Sequence, residues 1–197
     1  MRRFSSVLLL AATTVLVTAS TPMDADRYVI DKAHTHVGFT VRHMMVTNVR
    51  GKFNKFDGEI LLDQNDITKS SATFTIETAS VDTDHERRDK HLRSDDFFNA
   101  AQYPTLTFRS KRVVRKGNDL SLVGDLTIRD VTREVVIPFE LTGPVQAGDR
   151  KRIGIEARLT INRFDYGLRY NRMAEATVVV APEVKIELNV EANTVAP

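Results

Sequence analysis

The sequence predicts a mainly β domain built from one antiparallel sheet of about eight strands, closed into a barrel or folded into two layers. Three observations point there. From Arg27 onward, apolar residues recur at every second position, the mark of strands with one dry face. Turn-forming stretches such as RKGND, TGPVQAGDR and VAPE separate these runs. One segment, Asp84 to Phe98, breaks the alternation with nine charged residues among fifteen.

The alternating sets follow one another along the chain. Val37, Phe39 and Val41 share one parity in HTHVGFTVRH, and Phe56, Ile60 and Leu62 share one in FNKFDGEILL. Phe74 and Ile76 come next, then Leu106 and Phe108, then Leu120, Leu122, Gly124, Leu126 and Ile128. Val135 to Leu141, Ile153 to Ile161 and Val184 to Val190 complete the count. Each run has only one dry face, which must be covered by another sheet or by closure of the same one. Eight antiparallel strands suffice to close, leaving room for side chains or a single ligand. The strands are long and similar, which favours the barrel over a sandwich.

The first residues read differently. MRRFSSVLLLAATTVLVTAS has two arginines, an apolar run from Val7 to Val17, then small residues. That is the pattern of a secretory signal peptide, with Val17-Thr18-Ala19 a fitting cleavage site. The run is too short to span a bilayer as a helix, which needs about 20 residues. The expected division is a signal peptide over 1–19, a short linker over 20–27, the barrel domain over 28–191 and a loose tail over 192–197. The mature chain is then expected to be periplasmic, with no stable membrane span.

Removing Arg2 and Arg3 from the 28 basic residues leaves 26, against 26 acidic ones. A balanced mature chain gives no footing for nucleic acid, whose binding rests on many phosphate-neutralising cations. The chain has no cysteine, so disulfides and thiolate metal sites are excluded, and an exported domain must rely on its core.

The charged interruption has helical spacing. Asp84 and Arg88, Glu86 and Lys90, and Asp89 and Arg93 are acid-before-base pairs four residues apart, each worth a few tenths of a kcal/mol on a helix surface. Leu92 is the one apolar member of its face, Pro104 ends the helical region, and Phe97 and Phe98 follow the charges at once. Burial of a phenylalanine gains about 1.5–3 kcal/mol, so these rings should turn inward. The expectation is a short helical cap over residues 83–99, plugging one end of the sheet. Its Arg87, Arg88 and Arg93 are candidates to meet an anionic head group.

Four stretches together resemble the YceI-like family of exported polyisoprenoid-binding proteins: YVIDKAHTHVGFTVRHMMVTNVRGKF, DHERRDKHLRSDDFFNAAQYPTLTF, GDLTIRDVTREV and ARLTINRFDYGL. They stand in the family's order and cover nearly everything from Tyr28 to about Val190. Two departures are local: Tyr28 where a tryptophan is expected, and Asp130 where a glycine is usual. The resemblance implies a lipocalin-like barrel holding a long isoprenoid chain, a quinone or polyprenyl phosphate type, or a similar amphiphile. It implies no catalytic cofactor, and a homodimer of barrels is compatible with it. On that reading the pocket wall is drawn from Phe39, Val41, Phe56, Phe74, Ile76, Phe108, Leu122, Leu126 and Ile128, closed by Phe97 and Phe98. Met44 and Met45, just past the first strand, would add adaptable thioethers.

Two other classes compete. His34 and His36 lie on one face of a strand and make a metal pair the chief enzyme alternative, although no HExxH motif accompanies them. No GxSxG and no cysteine supports a nucleophilic hydrolase. A filled barrel without a ligand is the third reading, and the interior decides between it and a carrier.

Overall fold

The computed structural model describes residues 25–170, 173–174 and 177–195; the expected signal peptide lies outside the described residues. β1 (Ala25–Ile30) and β2 (His36–His43) are two halves of one stave, interrupted by a turn. β3 (Thr47–Phe53) and β4 (Phe56–Asp63) form the next, bent at Asn54 and Lys55, and β5 (Ser71–Glu77) with β6 (Val81–Asp82) form the third. The helix α1 (Glu86–Arg93) intervenes before β7 (Thr105–Lys116), β8 (Asp119–Ile128), β9 (Val131–Ala147) and β10 (Arg150–Asn162). A two-stranded ribbon, β11 (Met173–Ala174) and β12 (Thr177–Val178), precedes β13 (Val180–Thr194).

Every neighbouring pair is antiparallel, and the eight staves close. β13 pairs β10 along one edge; along the other it pairs first β2 and then β1, which itself pairs β4. Closure through Tyr28↔Thr194, Val29↔Asn193 and Ile30↔Ala192 removes the two open edges that a sandwich would keep. The barrel is the fold: the alternation favoured it but left a sandwich open, and the pairing of β1 with β13 decides.

Closure also corrects the expected boundaries. β13 runs to Thr194, through three residues placed in the loose tail, and Ala192 is fully buried against the core. β1 starts at Ala25, inside the expected linker. The backbone pairing that shuts the barrel needs both segments.

The stave break at 31–35 is tied rather than loose. Asp31 N–H donates to the Glu191 carbonyl, while Thr35 Oγ1 both donates to that carbonyl and accepts from Glu191 N–H. Asp31 accepts from Ala33 N–H at 2.9 Å and pairs with His34 Nδ1 at 3.0 Å. The same seam is pinned at its start, where Asp26 accepts from Lys151 Nζ at 2.8 Å and from Gln64.

The cap is a helix where the sequence put one, but its charges do other work than expected. None of the three acid–base pairs four residues apart forms among the described residues, and Asp84 lies before the helix in a left-handed conformation (φ 58°). Asp89 is buried and accepts from both the N–H and the Oγ1 of Thr83. Arg88 donates to Thr83 Oγ1 and Thr83 O, each at 2.7 Å. Arg93 donates to Ala79 O and Val81 O, each at 2.7 Å. Bonds to fixed backbone carbonyls in a half-buried seam outcompete exposed pairs worth a few tenths of a kcal/mol.

Two outcomes follow from these ties. Asp89→Ala leaves the Thr83 donors unmatched and should lower unfolding free energy by about 1–3 kcal/mol in urea denaturation. Hydrogen bonds from Lys151 and Gln64 hold the Asp26 carboxyl below its ordinary value. Its stabilising effect is therefore present above the unfolded carboxyl range near pH 4 and is lost as pH falls further. Asp26→Asn should cost at most about 1 kcal/mol at pH 7, a difference that shrinks to nothing in acid.

Candidate ligand tunnel

Inward-pointing residues of the staves leave a row of adjoining voids rather than a filled core. The largest dry one, about 160 Å³, is lined by Phe39, Phe74, Ile76, Phe108, Leu122, Leu126 and their neighbours, almost wholly apolar. A void of about 50 Å³ adjoins it at the far end and shares Ile60, Ala72, Leu122 and Ile155 with it. On the other side, a chamber of about 100 Å³ shares Phe39, Phe53, Leu106, Ile128 and Ile186 with the largest dry one. The last, about 190 Å³, lies beneath α1 and shares Phe39, Val41, Leu92, Phe97 and Val180 with that chamber. Along β10 alone the lining runs from Ile155 to Ile161, about 20 Å of strand. The voids make an elongated tunnel.

Its chemistry changes at one end. The void beneath α1 adds His43, Thr83, Arg88, His91 and Tyr170 to the apolar wall. His91 Nε2 pairs with Asp96 Oδ2 at 2.7 Å, and its ring meets Phe97 and Tyr170 edge-on at about 5 Å. This is the polar mouth, where the His91 side chain is 40% exposed, and the three other voids are dry.

Glycines let rings lie flat in the wall. Phe39 pairs with Gly51 across β2 and β3, and a Cβ on Gly51 would fall 2.3 Å from the Phe39 Cζ. Phe74 faces Gly58 in the same way, where a Cβ would fall 2.7 Å from its ring. Each ring occupies the space of a missing side chain and leaves the tunnel clear.

Ten of the thirteen expected wall and plug residues line the two largest dry chambers: Phe39, Phe74, Ile76, Phe108, Leu122, Leu126 and Ile128, with Val41, Phe97 and Phe98 at the capped end. Val41 lines the capped chamber and the mouth. Phe56 is buried and stacks on Phe74, centroids 5.8 Å apart, outside the lining. Met44 and Met45 do not line it at all. Both occupy the β2–β3 turn with positive φ, and Met45 is 57% exposed. Three residues of turn carry them past the end of the dry face.

The arginines also fall differently than expected. Arg88 borders the mouth, but two of its nitrogens are spent on Thr83; Arg93 is spent on the backbone of the β5–β6 segment, and Arg87 points into solvent. An arginine absent from the expected set, Arg163, is buried beside the capped chamber. It donates to Val180 O, Ala181 O and Leu168 O, and burial pushes its guanidinium below the ordinary value. The turn after β8 takes its left-handed residue at Arg129 (φ 58°), one position before Asp130, and the Arg129 Nη1 donates to Phe97 O and Gly167 O. Arg129 thereby ties the plug to the loop after β10.

Ile155, Ala157, Leu159, Ile186 and Leu188 also line the largest dry chamber, and their period of two was readable in the sequence. Phe53 was harder to find, because Gly51 interrupts its parity. Among the described residues His34, but not His36, belongs to a cluster of metal-ligand side chains. His34 sits in the seam, where its ligand atom and those of Asp31 and Glu191 lie within 4.8 Å of one another. His36 lies on β2, its ring against Gly38. Glu191 is already paired with Arg152 at 3.0 Å, so the cluster joins three staves.

A family model, the YceI-like domain, matches residues 28–192. Protein YceI of Escherichia coli is 39% identical over 169 residues, covering 83% of this chain and 87% of its own. The chain belongs to the YceI-like family. Among solved structures, BcnA of Burkholderia cenocepacia superposes with a TM-score of 0.71 at 26% identity, covering 82% of this chain and 98% of its own. A polyisoprenoid binding domain from Saccharophagus degradans, at 16% identity, shares the fold with a TM-score of 0.64, covering 87% and 99%. The YceI-like stave pattern thus spans the whole tunnel, mouth included.

Plug and rim should separate by stability. Phe98 packs edge-on against Phe53 at 5.8 Å, so Phe98→Asp puts a charge against the dry wall and should cost about 3 kcal/mol. Arg87→Ala should stay within about 0.5 kcal/mol in the same denaturation series.

Proposed function

We propose that this chain is an exported, periplasmic binding protein that holds a long-chain isoprenoid in its tunnel, rather than an enzyme. The observation that carries the reading is the row of dry voids ending at one polar mouth. A barrel that served only as scaffold would fill this space, since each void forfeits dispersion contacts and about 24 cal/mol per Å³ of stability. An elongated apolar volume with polar groups at one end matches a single amphiphile with a long tail. Family membership and the Saccharophagus domain, which is named for polyisoprenoid binding, support the same class of ligand. An isoprenoid quinone and a polyprenyl phosphate both meet the description: the tail takes the dry chambers, the head the mouth.

Solvent extraction of freshly purified protein followed by mass spectrometry should release a prenyl lipid. The purified protein should also take up a prenylated benzoquinone delivered from cyclodextrin. Ala157→Phe fills the largest dry chamber from a buried position on β10 and should reduce that uptake by about tenfold or more, with stability changed by no more than about 1–3 kcal/mol. A protein that extracts clean and takes up no quinone would sink the carrier reading.

A further inference from the structure

Among the described residues, the β2–β3 tip is the one place where the fold spends backbone strain to put apolar side chains in water. Met44 and Met45 take the two central positions of a tight turn closed by Val46 N–H donating to His43 O at 3.1 Å. Both have positive φ, 50° and 61°, where asparagine or glycine would sit without penalty. The turn instead displays Met45 at 57% exposure and Val46 at 78%. Arg42 holds it, donating to the Met45 carbonyl and to Asn48 Oδ1.

Charge within the hairpin itself is one-sided, although Lys52 pairs with Asp82 across the sheet at 3.9 Å. The hairpin HVGFTVRHMMVTNVRGKF, residues 36–53, contains Arg42, Arg50 and Lys52 and no acidic residue, in a chain whose mature charge is balanced. Arg42 and Arg50 are exposed on the outer face. The inner face of the same hairpin reaches the mouth, which His43 and Val49 help to line. The two exposed apolar side chains therefore stand beside the opening of the tunnel.

We propose that the β2–β3 tip is a membrane-docking element, seating Met45 and Val46 among the head groups of an anionic bilayer while Arg42 and Arg50 pair with lipid phosphates. Apolar side chains flanked by cations are the pattern that binds such an interface, each basic residue adding attraction to an anionic surface. Docking in this orientation faces the mouth toward the layer in which a long-tailed lipid resides. The tail then passes between bilayer and tunnel with little of it exposed to water. The inference goes beyond ligand binding and rests on the carrier reading only for its purpose.

Cosedimentation with vesicles of phosphatidylethanolamine and phosphatidylglycerol tests it. Wild-type protein should bind these vesicles, and bind vesicles of phosphatidylcholine alone several-fold more weakly. The double variant Met45→Ser with Val46→Ser should bind the anionic vesicles about tenfold more weakly, because the apolar anchor is gone. Arg50→Gln should weaken binding about fivefold and flatten its salt dependence. Quinone uptake from cyclodextrin should stay at the wild-type level in both variants. Wild-type protein that ignores anionic vesicles, or a tip variant that binds them equally well, overturns the proposal. Uptake from cyclodextrin reports on the carrier reading separately, whichever way the vesicles come out.

Discussion

The strand β13 is what the rest of the structure depends on. It is fifteen residues long and serves three neighbours at once: β10 along one edge, β2 and then β1 along the other. An open sheet of this size would leave two rows of unpaired N–H and C=O groups, and its dry face would have nothing to cover it. Three residue pairs at the end of β13 remove that exposure. Because β1 and β2 meet β13 in separate segments, the chain must detour over residues 31–35, and Asp31, Thr35 and Glu191 fix the detour in place.

Closure and emptiness pull against each other. A core gains stability from dense packing, yet this one keeps dry voids along its axis. The compensation lies at the two ends and in the walls. Tyr28, Val81 and Ala192 are fully buried, Phe rings lie over Gly51 and Gly58, and Phe53 and Phe98 meet edge-on below the cap. Buried polar groups appear where the backbone needs them: Arg163 on three carbonyls and Asp89 on Thr83. Stability is concentrated in the shell, and the axis stays open for a guest.

Much of this was legible in the residues. A period of two marks its own inward set, so the eight staves and most of the wall followed from parity alone. Phe97 and Phe98 were readable as plug because two adjacent aromatics cannot both stay wet cheaply. What was not legible depends on partners distant in sequence. The charges of DHERRDKHLR suggest pairs along the helix, whereas the bonds formed go to Ala79, Val81 and Thr83. Local spacing carries no information about carbonyls on a neighbouring strand. Met44 and Met45 were misplaced for a similar reason: apolar character suggests burial, and only the turn geometry put them outside. Gly51 hid Phe53, since a glycine at an inward position looks like a break in the strand.

The cap's fastening has a consequence for where such a protein can work. A lid held by exposed ion pairs loosens as ionic strength rises, because mobile counter-ions compete for each charge. Here the arginines of α1 and its surroundings grip neutral carbonyl and hydroxyl oxygens, in half-buried positions that dissolved ions reach poorly. Brine and dilute buffer should find the lid equally shut. Such a lid holds over a wide span of ionic strength.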